Sequence, residues 1–237
     1  RQPTYALTII LLMSVGVAGN AAVFRVVNGL FLRPLPFDNP DRLVDIDETA
    51  PQWDLEFLSI AYRDFDRWRA ENTTFESMAV FDRGGGNALI DGSPVRLSYL
   101  LATHDIDDVL KIDAELGRFF GPEEDHPDGP RGGMISRGAW EQHFGSDPEV
   151  LGTTITINGF PVEVIGVLPP EADFVADVDM WIPLRADPAD FNGWGLNGFG
   201  RLAEGGTIAQ AREDLPAVHK AMIPAFDVNA ISSPVVH

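Results

Sequence analysis

The sequence predicts an α+β protein in which an N-terminal transmembrane helix precedes a large mixed domain. The first observation is the run of residues 6–24, which contains no formally charged side chain. The second is the order of the elements behind it: strand–helix–strand, then a mostly β middle part, then a strand and a helix. The 237 residues suffice for one large or two small domains besides the helix.

The apolar run has the length of a membrane-spanning helix. At about 1.5 Å per residue, residues 6–24 measure roughly 28 Å, close to the thickness of a bilayer core. Helical spacing of apolar residues continues to Leu32, and Arg33-Pro34 predicts the end of the helix. Since one helix is rarely a whole membrane protein, we expect further membrane segments outside this chain.

Two other interpretations of the run stay open. A signal peptide would have Arg1 before an apolar core at residues 6–17 and small residues at 18–21 near the cleavage point. A buried helix of a soluble protein has the same composition. The periodicity that continues beyond the run favours the anchor, because a cleaved signal has no use for it.

The charge balance limits the classes of partner that the chain is expected to bind. Asp and Glu number 36 against 17 Lys and Arg, which gives a net charge of −19. This balance argues against nucleic acid or an anionic lipid surface as the main partner. The chain has no cysteine, which excludes disulfides, thiolate metal ligands and a cysteine nucleophile.

The first unit of the domain has the pattern strand–helix–strand. Residues 43–46 and 75–81 predict strands, and residues 51–58 are expected to be irregular. Ser59 is predicted to be the N-cap of a helix over residues 61–71. One face of this helix carries three aromatic residues expected in the core: Tyr62, Phe65 and Trp68. Trp140 and Trp181 are interpreted in the same way.

The middle part is mostly β. We predict a flexible loop at residues 82–87, a short helix that Thr103 caps, and an exposed loop at residues 121–133. A helix is also predicted over residues 138–144. Short strands are predicted at residues 88–90, 95–101, 134–136 and 180–182.

A β-hairpin is the clearest local signal. Residues 153–157 and 160–167 are β-rich, and Asn158-Gly159 between them is typical of a type I′ turn. The C-terminal part returns to strand and helix. Residues 196–202 predict a strand, and Thr207 is expected to cap a helix towards Met222. Pro216 predicts a kink or an early end of this helix, and the chain is expected to be irregular after Pro224.

The chain lacks the motifs of nucleotide and acyl chemistry. A Walker A loop needs Gly-Lys-Ser/Thr after its glycine-rich turn, but Asn87 follows the glycines 84–86. Ser136 does not lie in a Gly-x-Ser-x-Gly motif, since Met134 holds the first position. ATP hydrolysis is therefore not expected in this chain, and the protein is not expected to be an enzyme.

Two titratable clusters each allow two interpretations. His104 followed by Asp105, Asp107 and Asp108 is either a general base with orienting acids or an acidic helix N-terminus. Glu123, Glu124, Asp125, His126 and Asp128 are either metal ligands or a solvated loop, and their spacing matches no calcium loop. No partner is predicted for His143, His219 and His237. The sequence singles out no catalytic, cofactor-binding or metal-binding residue.

An ordered set of short motifs resembles ABC-transporter permeases of the MacB/FtsX type. The motifs lie at residues 16–37, 62–65 with 68–69, 75–79, 117–120, 140–148, 151–169, 179–184 and 200–202. Together they are similar to the first transmembrane segment and the MacB-like periplasmic core domain, over nearly the whole chain. Three places depart from the family pattern: Arg25, residues 104–107, and Lys111 in place of a usual glycine.

The resemblance implies a division of the chain. Residues 1–33 are the transmembrane helix with a periplasmic extension. Residues 38–83 and 185–225 form a Porter-like lobe, and residues 84–184 form a mostly β Sabre-like lobe inserted into it. Residues 226–237 are a linker towards membrane helices that lie outside this chain.

The resemblance also implies a function. The chain is expected in a bacterial inner membrane with its main domain in the periplasm, where it couples cytoplasmic ATP hydrolysis to export or mechanical work. The implied partners are a cytoplasmic ABC ATPase subunit, a second permease copy in a dimer, and a periplasmic protein; no cofactor is implied. One alternative is a membrane-anchored regulatory or scaffold domain that activates a periplasmic partner without transport. Another is a secreted soluble enzyme or binding domain behind a signal peptide.

Overall fold

The computed structural model describes residues 13–14, 16–17, 24, 35–50, 54–90, 92–189, 194–222 and 233–237. The chain divides into two compact units, Arg1–Pro36 and Phe37–His237. The transmembrane helix predicted at residues 6–24 lies mostly outside the described residues; those of it that are described have helical backbone. Within the described ranges, no helix is both long and apolar enough to cross a membrane.

The second unit combines strands and helices, as the sequence predicted. Its described strands are β1 (Leu43–Ala50), β2 (Leu55–Leu58), β3 (Ile60–Ala61), β4 (Phe75–Ile90), β5 (Ser93–Ala102), β6 (Leu116–Gly117), β7 (Gly132–Ile135), β8 (Thr154–Ile157), β9 (Phe160–Val167), β10 (Met180–Pro183), β11 (Trp194–Leu202) and β12 (Ser233–Val236). Its described α-helices are α1 (Tyr62–Glu71), α2 (Ile106–Leu110), α3 (Pro122–Asp125), α4 (Arg137–Phe144) and α5 (Ile208–Met222).

The strands form one mixed sheet in the order β12-β1-β11-β4-β5-β10-β7-β9-β6. Strand β2 pairs with β1, β3 with β11, and β8 with both β4 and β9. The pairs β5–β10 and β7–β9 are parallel, and the remaining pairs are antiparallel. One sheet therefore runs through both predicted lobes, whose boundaries stay a prediction.

Strand β4 is the longest element of the sheet. Its 16 residues extend over about 50 Å at the usual strand rise. Its first part pairs with β11 and its second part with β5, and Phe81 pairs with both, opposite Asn197 and Ala102. The strand thus connects the part of the sheet next to β1 with the part next to β8.

The flexible loop predicted at residues 82–87 is wrong, because these residues lie inside β4. Their glycines make room for neighbouring side chains. A Cβ on Gly84 would come within 2.3 Å of the Tyr99 ring, and one on Gly86 would come within 2.7 Å of the Asn158 amide. The glycines therefore reflect close packing across strands, which has no signal in the local sequence.

Three hydrophobic cores cover the sheet. The first lies under α1 and α5 and contains the fully buried Trp68. The second contains Trp181 and packs against α2. The third fills the space between α4 and the strands β8 and β9 and contains the fully buried Val164. Trp140 is partly buried against this third core, so the aromatic residues predicted as core residues pack as expected.

The ends of the helices were predicted with mixed success. Thr207 caps α5 as predicted: its Oγ1 accepts a hydrogen bond from the Gln210 amide at 3.2 Å. Helix α5 continues through Pro216, so the helix does not end early there. Ser59 is not the N-cap of α1; Ala61 holds that position, and its amide donates to the buried Glu48 carboxylate at 3.3 Å. The N-cap residue Ala61 makes no side-chain cap hydrogen bond, and the Glu48 contact ties its amide to β1.

The remaining differences concern strands and one hairpin. Asn158 and Gly159 have φ of 50° and 88° and join β8 to β9, which confirms the predicted hairpin. Residues 55–58 form β2 where irregular chain was expected. Residues 233–236 form β12, paired with β1, although the chain after Pro224 was expected to be irregular. Both of these strands are short and acquire their order from pairing with β1.

Candidate functional site

A buried carboxylate joins three segments at the edge where β5 and β10 end. Asp125 Oδ2 accepts a hydrogen bond from the His104 amide at 3.0 Å and lies 3.0 Å from His104 Nδ1. Asp125 Oδ1 accepts a hydrogen bond from the Arg185 amide at 2.9 Å. Because β5 and β10 are parallel neighbours, the residues that follow them meet at one edge of the sheet. We call Asp125, His104 and Arg185 the Asp125 junction.

Arg185 fixes the loop that follows α3. Its backbone has φ of 55°, in the left-handed region, which turns the chain directly after β10. Its guanidinium donates hydrogen bonds to the backbone oxygens of Glu124 at 3.1 Å, of Gly129 and Pro130 at 2.9 Å each, and of Pro127. The segment predicted as an exposed loop at 121–133 is therefore ordered: it contains α3 and the first two residues of β7, and both Glu124 and Asp125 are buried.

Helix α1 reaches the junction through an ion pair. Arg69 donates to Asp105 Oδ2 at 2.7 Å and to Asp66 at 3.0 Å. Asp105 Oδ1 in turn lies 3.3 Å from His104 Nε2, so the imidazole stands between two carboxylates. These side-chain contacts thus form one connected polar network from α1 to Asp125, next to the first core.

The network perturbs the titration of its members. The hydrogen bond to Asp125 raises the pKa of His104 and outweighs the opposing effect of burial. Burial, together with the charge of Asp125, raises the pKa of Tyr62 to about 12. On α2, burial and the neighbouring Asp108 raise the pKa of Asp107 to about 6. These shifts favour a protonated His104 and a neutral Tyr62.

The structure separates the residues of the two sequence clusters. His104 faces Asp125 and Asp105, and its hydrogen-bond and ion-pair partners do not include Asp107 or Asp108. In the acidic segment, Glu124 pairs with Arg118 while Asp125 turns to His104. Within the described part of the chain, no three His, Cys, Asp or Glu side chains are grouped as a metal site would need.

Other candidate residues have structural contacts. Ser136 Oγ accepts a hydrogen bond from the Ala139 amide and caps α4. Thr103 does not cap α2; its Oγ1 accepts a hydrogen bond from the Val80 amide on β4 at 3.1 Å. His219, for which the sequence predicted no partner, is buried and accepts a hydrogen bond from Trp68 Nε1 at 3.1 Å. These contacts join residues far apart in the sequence, so no local motif indicated them.

A second feature lies at the start of the unit Phe37–His237. Phe37 is buried in the second core. Arg201 of β11 is 1% exposed, and its guanidinium donates to the Val109 oxygen at 2.6 Å and to the Asp38 oxygen at 2.8 Å. Burial lowers the pKa of Arg201, and its guanidinium donates to backbone oxygens. We call residues 37–39 the anchor segment, since these contacts fix them to the sheet.

Surface ion pairs surround the anchor segment. Glu76 on β4 pairs with Arg42 and, at 2.9 Å, with Lys111. Arg42 also donates through Nε to the Leu202 oxygen at 2.8 Å. Lys111 has φ of 56°, a conformation that glycine adopts without strain, which explains why a glycine suits this position at the end of α2. Of the departures from the family pattern, Arg25 lies outside the described residues. Within residues 104–107, His104 contacts Asp125 directly, and Asp105 lies 3.3 Å from the His104 imidazole.

The sheet, its helices and the anchor segment define a mixed α+β domain. The sequence model of the MacB-like periplasmic core domain matches residues 6–218, so the chain belongs to this family. This match confirms the resemblance to MacB-type permeases drawn from the short motifs. No curated protein matches the sequence significantly.

Several solved structures have a similar fold, of which two are described. The periplasmic region of MacB from Actinobacillus actinomycetemcomitans has a TM-score of 0.62 and 13% identity, over 83% of this chain and 88% of that one. The extracellular domain of the noncanonic ABC-type transporter YknZ from Gram-positive bacteria has a TM-score of 0.62 and 18% identity, over 82% of this chain and 99% of that one. At these identities the likeness concerns the fold alone.

Proposed function

We propose that this chain is the extracytoplasmic part of a permease subunit that converts conformational change at the membrane into export or mechanical work outside it. The observation that best supports this proposal is the attachment of the anchor segment to the central sheet. Phe37 is buried in the second core, and Arg201 holds the Asp38 oxygen. A displacement of residues 37–39 therefore acts on β11 directly.

The sheet offers a continuous route for such a displacement. Strand β11 pairs with β4 over residues 197–202, and β4 continues without a break to Ile90. The second part of β4 pairs with β5 along its whole length, and Ala88 and Leu89 reach β8. Because every step is a backbone-paired strand, the route is stiff compared with a loop.

The energy source in this proposal is a separate cytoplasmic ABC ATPase. The sequence has no Walker A motif, so this chain relies on a partner for ATP hydrolysis. Residues 6–24 would cross the bacterial inner membrane, and the unit Phe37–His237 would lie in the periplasm. Two permease copies would form a dimer in which the two periplasmic domains move together. If no cargo is exported, the moving domains would act on a periplasmic protein.

The test is reconstitution of the full-length permease with its ATPase in liposomes. We expect ATP hydrolysis to need both chains and to rise with a transported substrate or with a periplasmic protein partner. A rise with a substrate supports export, and a rise only with a protein partner supports mechanical activation. Hydrolysis by this chain without the ATPase, or recovery of the mature chain cleaved near residue 21, would contradict the proposal.

A further inference from the structure

Six strands of the sheet close into a ring. Strand β4 pairs with β5 and β8, β5 with β10, β10 with β7, β7 with β9, and β9 with β8. The third core contains buried residues from all six strands. Strands β5 and β10 end side by side, with Ala102 opposite Pro183, and His104 and Arg185 follow two residues later. The Asp125 carboxylate therefore bridges the two segments where they leave the ring.

The imidazole of His104 needs two ring hydrogens to satisfy its contacts. Its Nδ1 lies 3.0 Å from Asp125 Oδ2, and its Nε2 lies 3.3 Å from Asp105 Oδ1. Both oxygens of Asp125 also accept backbone amide hydrogens, which favours the ionised carboxylate. Asp105 Oδ2 accepts a hydrogen bond from Arg69 at 2.7 Å. Because a neutral imidazole has one N–H and one lone pair, only the imidazolium donates to both carboxylates.

The other charged and titratable groups near the imidazole come from α1 and from the segment after β10. On α1, Arg69 opposes the charge of His104 but affects its pKa less than either carboxylate does. Asp66 bonds Arg69, and the pKa of about 12 keeps the Tyr62 phenol neutral. After β10, the guanidinium of Arg185 is bonded to backbone oxygens. The two carboxylates therefore decide the charge of the imidazole.

The two carboxylates are not held equally firmly. The Asp125 side chain is 5% exposed and fixed by two amides, whereas the Asp105 side chain is 23% exposed. A neutral His104 therefore keeps its hydrogen on Nδ1, facing Asp125, and its Nε2 lone pair faces Asp105. A lone pair and a carboxylate oxygen repel each other, so Asp105 turns away and its bond to Arg69 weakens.

We infer that His104 is a proton-dependent link between helix α1 and the strand ring: the imidazolium holds Asp105 and, through it, Arg69, and the neutral imidazole releases them. The linked state has the higher pKa, so it is favoured below about 6.5, the ordinary pKa of histidine, and is lost as pH rises through the raised value. Between these two values the ratio of released to linked chains rises by up to about tenfold per pH unit. The inference goes beyond the proposed function and does not depend on it.

NMR titration of the imidazoles tests the protonation step. The full chain in lipid nanodiscs has five histidines, and His104→Gln identifies the signal of His104. We expect both ring nitrogens of His104 to carry hydrogen at low pH and Nδ1 alone to carry it at high pH, with a midpoint above 6.5. Absence of titration between about pH 5 and 9, or a neutral ring with its hydrogen on Nε2, would overturn the inference.

A pair of spin labels tests the link itself. Ala70→Cys on α1 and Thr154→Cys on β8 are exposed positions in a chain without cysteine, so their distance reports α1 against the ring. We expect one distance population a pH unit below the midpoint of His104 and a second, released population a unit above it. His104→Gln carries no charge at any pH, so its distribution should not change with pH.

Two further variants of the labelled chain separate the link from general effects of pH. Asp105→Asn should stay linked at both pH values, because its amide donates to the neutral Nε2 and its oxygen still accepts from Arg69. His126→Gln is the matched control: His126 is exposed one residue after Asp125, and this variant should respond to pH as the wild-type chain does. Equal distributions at both pH values in the wild-type chain, or the same change in His104→Gln, would overturn the inference. None of these measurements involves ATP, so their failure leaves the proposed function untouched.

Discussion

Replacement of Arg201 by methionine tests whether the anchor segment is fixed by its guanidinium. The side chain is 1% exposed and donates hydrogen bonds to the Val109 oxygen at 2.6 Å and the Asp38 oxygen at 2.8 Å. Hydrogen bonds from a charged group contribute about 1.5–3 kcal/mol each, and the oxygen of the fully buried Val109 would lose this donor. Burial of the Arg201 charge is unfavourable, as its lowered pKa indicates. Methionine removes this buried charge, which offsets part of the stability lost with the hydrogen bonds. We expect Arg201→Met to reduce the free energy of unfolding by about 2–4 kcal/mol.

Urea unfolding of the full chain, followed by tryptophan fluorescence, measures this loss. Arg212→Met is the control, because Arg212 is exposed and donates one hydrogen bond, to the Val236 oxygen at 2.8 Å. Its loss is expected to stay below about 1 kcal/mol. Arg201→Lys keeps the charge but lacks the fork that reaches two oxygens, so it should recover only part of the stability. Equal losses of unfolding free energy in Arg201→Met and Arg212→Met would refute the conclusion that Arg201 fixes the anchor segment to the sheet.

Three further predictions concern packing and pH. Gly84→Ala should destabilise the chain by about 1–2 kcal/mol through overlap with the facing tyrosine ring, whereas Gly85→Ala, with its nearest atom at 3.5 Å, should be nearly neutral in urea unfolding. The raised pKa of His104 gives a stabilisation that is complete below the unfolded pKa of 6.5 and lost as pH rises through the folded value, so His104→Gln should flatten stability against pH above 6.5. The pKa of Asp107, raised from 3.8 to about 6, makes stability fall as pH rises across that interval. Asp107→Asn should therefore raise the melting temperature at pH 7 and leave it unchanged near pH 3.5.

For each of these three predictions, one specific result would contradict the reasoning. Equal stability of the two alanine variants would mean that the glycines of β4 are not set by cross-strand packing. An unchanged pH profile in His104→Gln would remove the imidazole from the Asp125 junction. A lower melting temperature of Asp107→Asn at pH 7 would show that the carboxylate is stabilised at the start of α2, where the dipole of the helix favours it.

Features encoded in short segments were predictable from the sequence. The hairpin at Asn158-Gly159 was found because a two-residue turn with positive φ selects those residues. The start of α5 was found because threonine is a preferred N-cap residue, and Thr207 Oγ1 does accept a hydrogen bond from the Gln210 amide. Features that depend on distant neighbours were missed. The glycines of β4 were interpreted as a loop, although their reason is a tyrosine on the next strand.

The candidate site was predictable only in part, for the same reason. His104 was singled out, but its partner Asp125 follows 21 residues later and was assigned to a solvated loop. Asp125 also accepts a hydrogen bond from the Arg185 amide. His104 and Arg185 meet because the strands they follow, β5 and β10, are parallel neighbours, which is a property of the sheet and not of any segment. Arg201 belonged to a recognised motif, yet its burial and its bonds to Asp38 depend on chain 163 residues away. The class of protein, in contrast, followed from the order of many weak motifs.

The most direct measurement is the distance between the two domains of the full-length permease dimer with and without ATP. A single spin label at Leu89→Cys suits it, because Leu89 is 49% exposed on the far part of β4 and this chain contains no cysteine. With the ATPase present, we expect the label-to-label distance to differ between the nucleotide-free and ATP-bound states. The same change should be smaller in Arg201→Met. An identical distance distribution in all nucleotide states would contradict a domain moved by ATP hydrolysis.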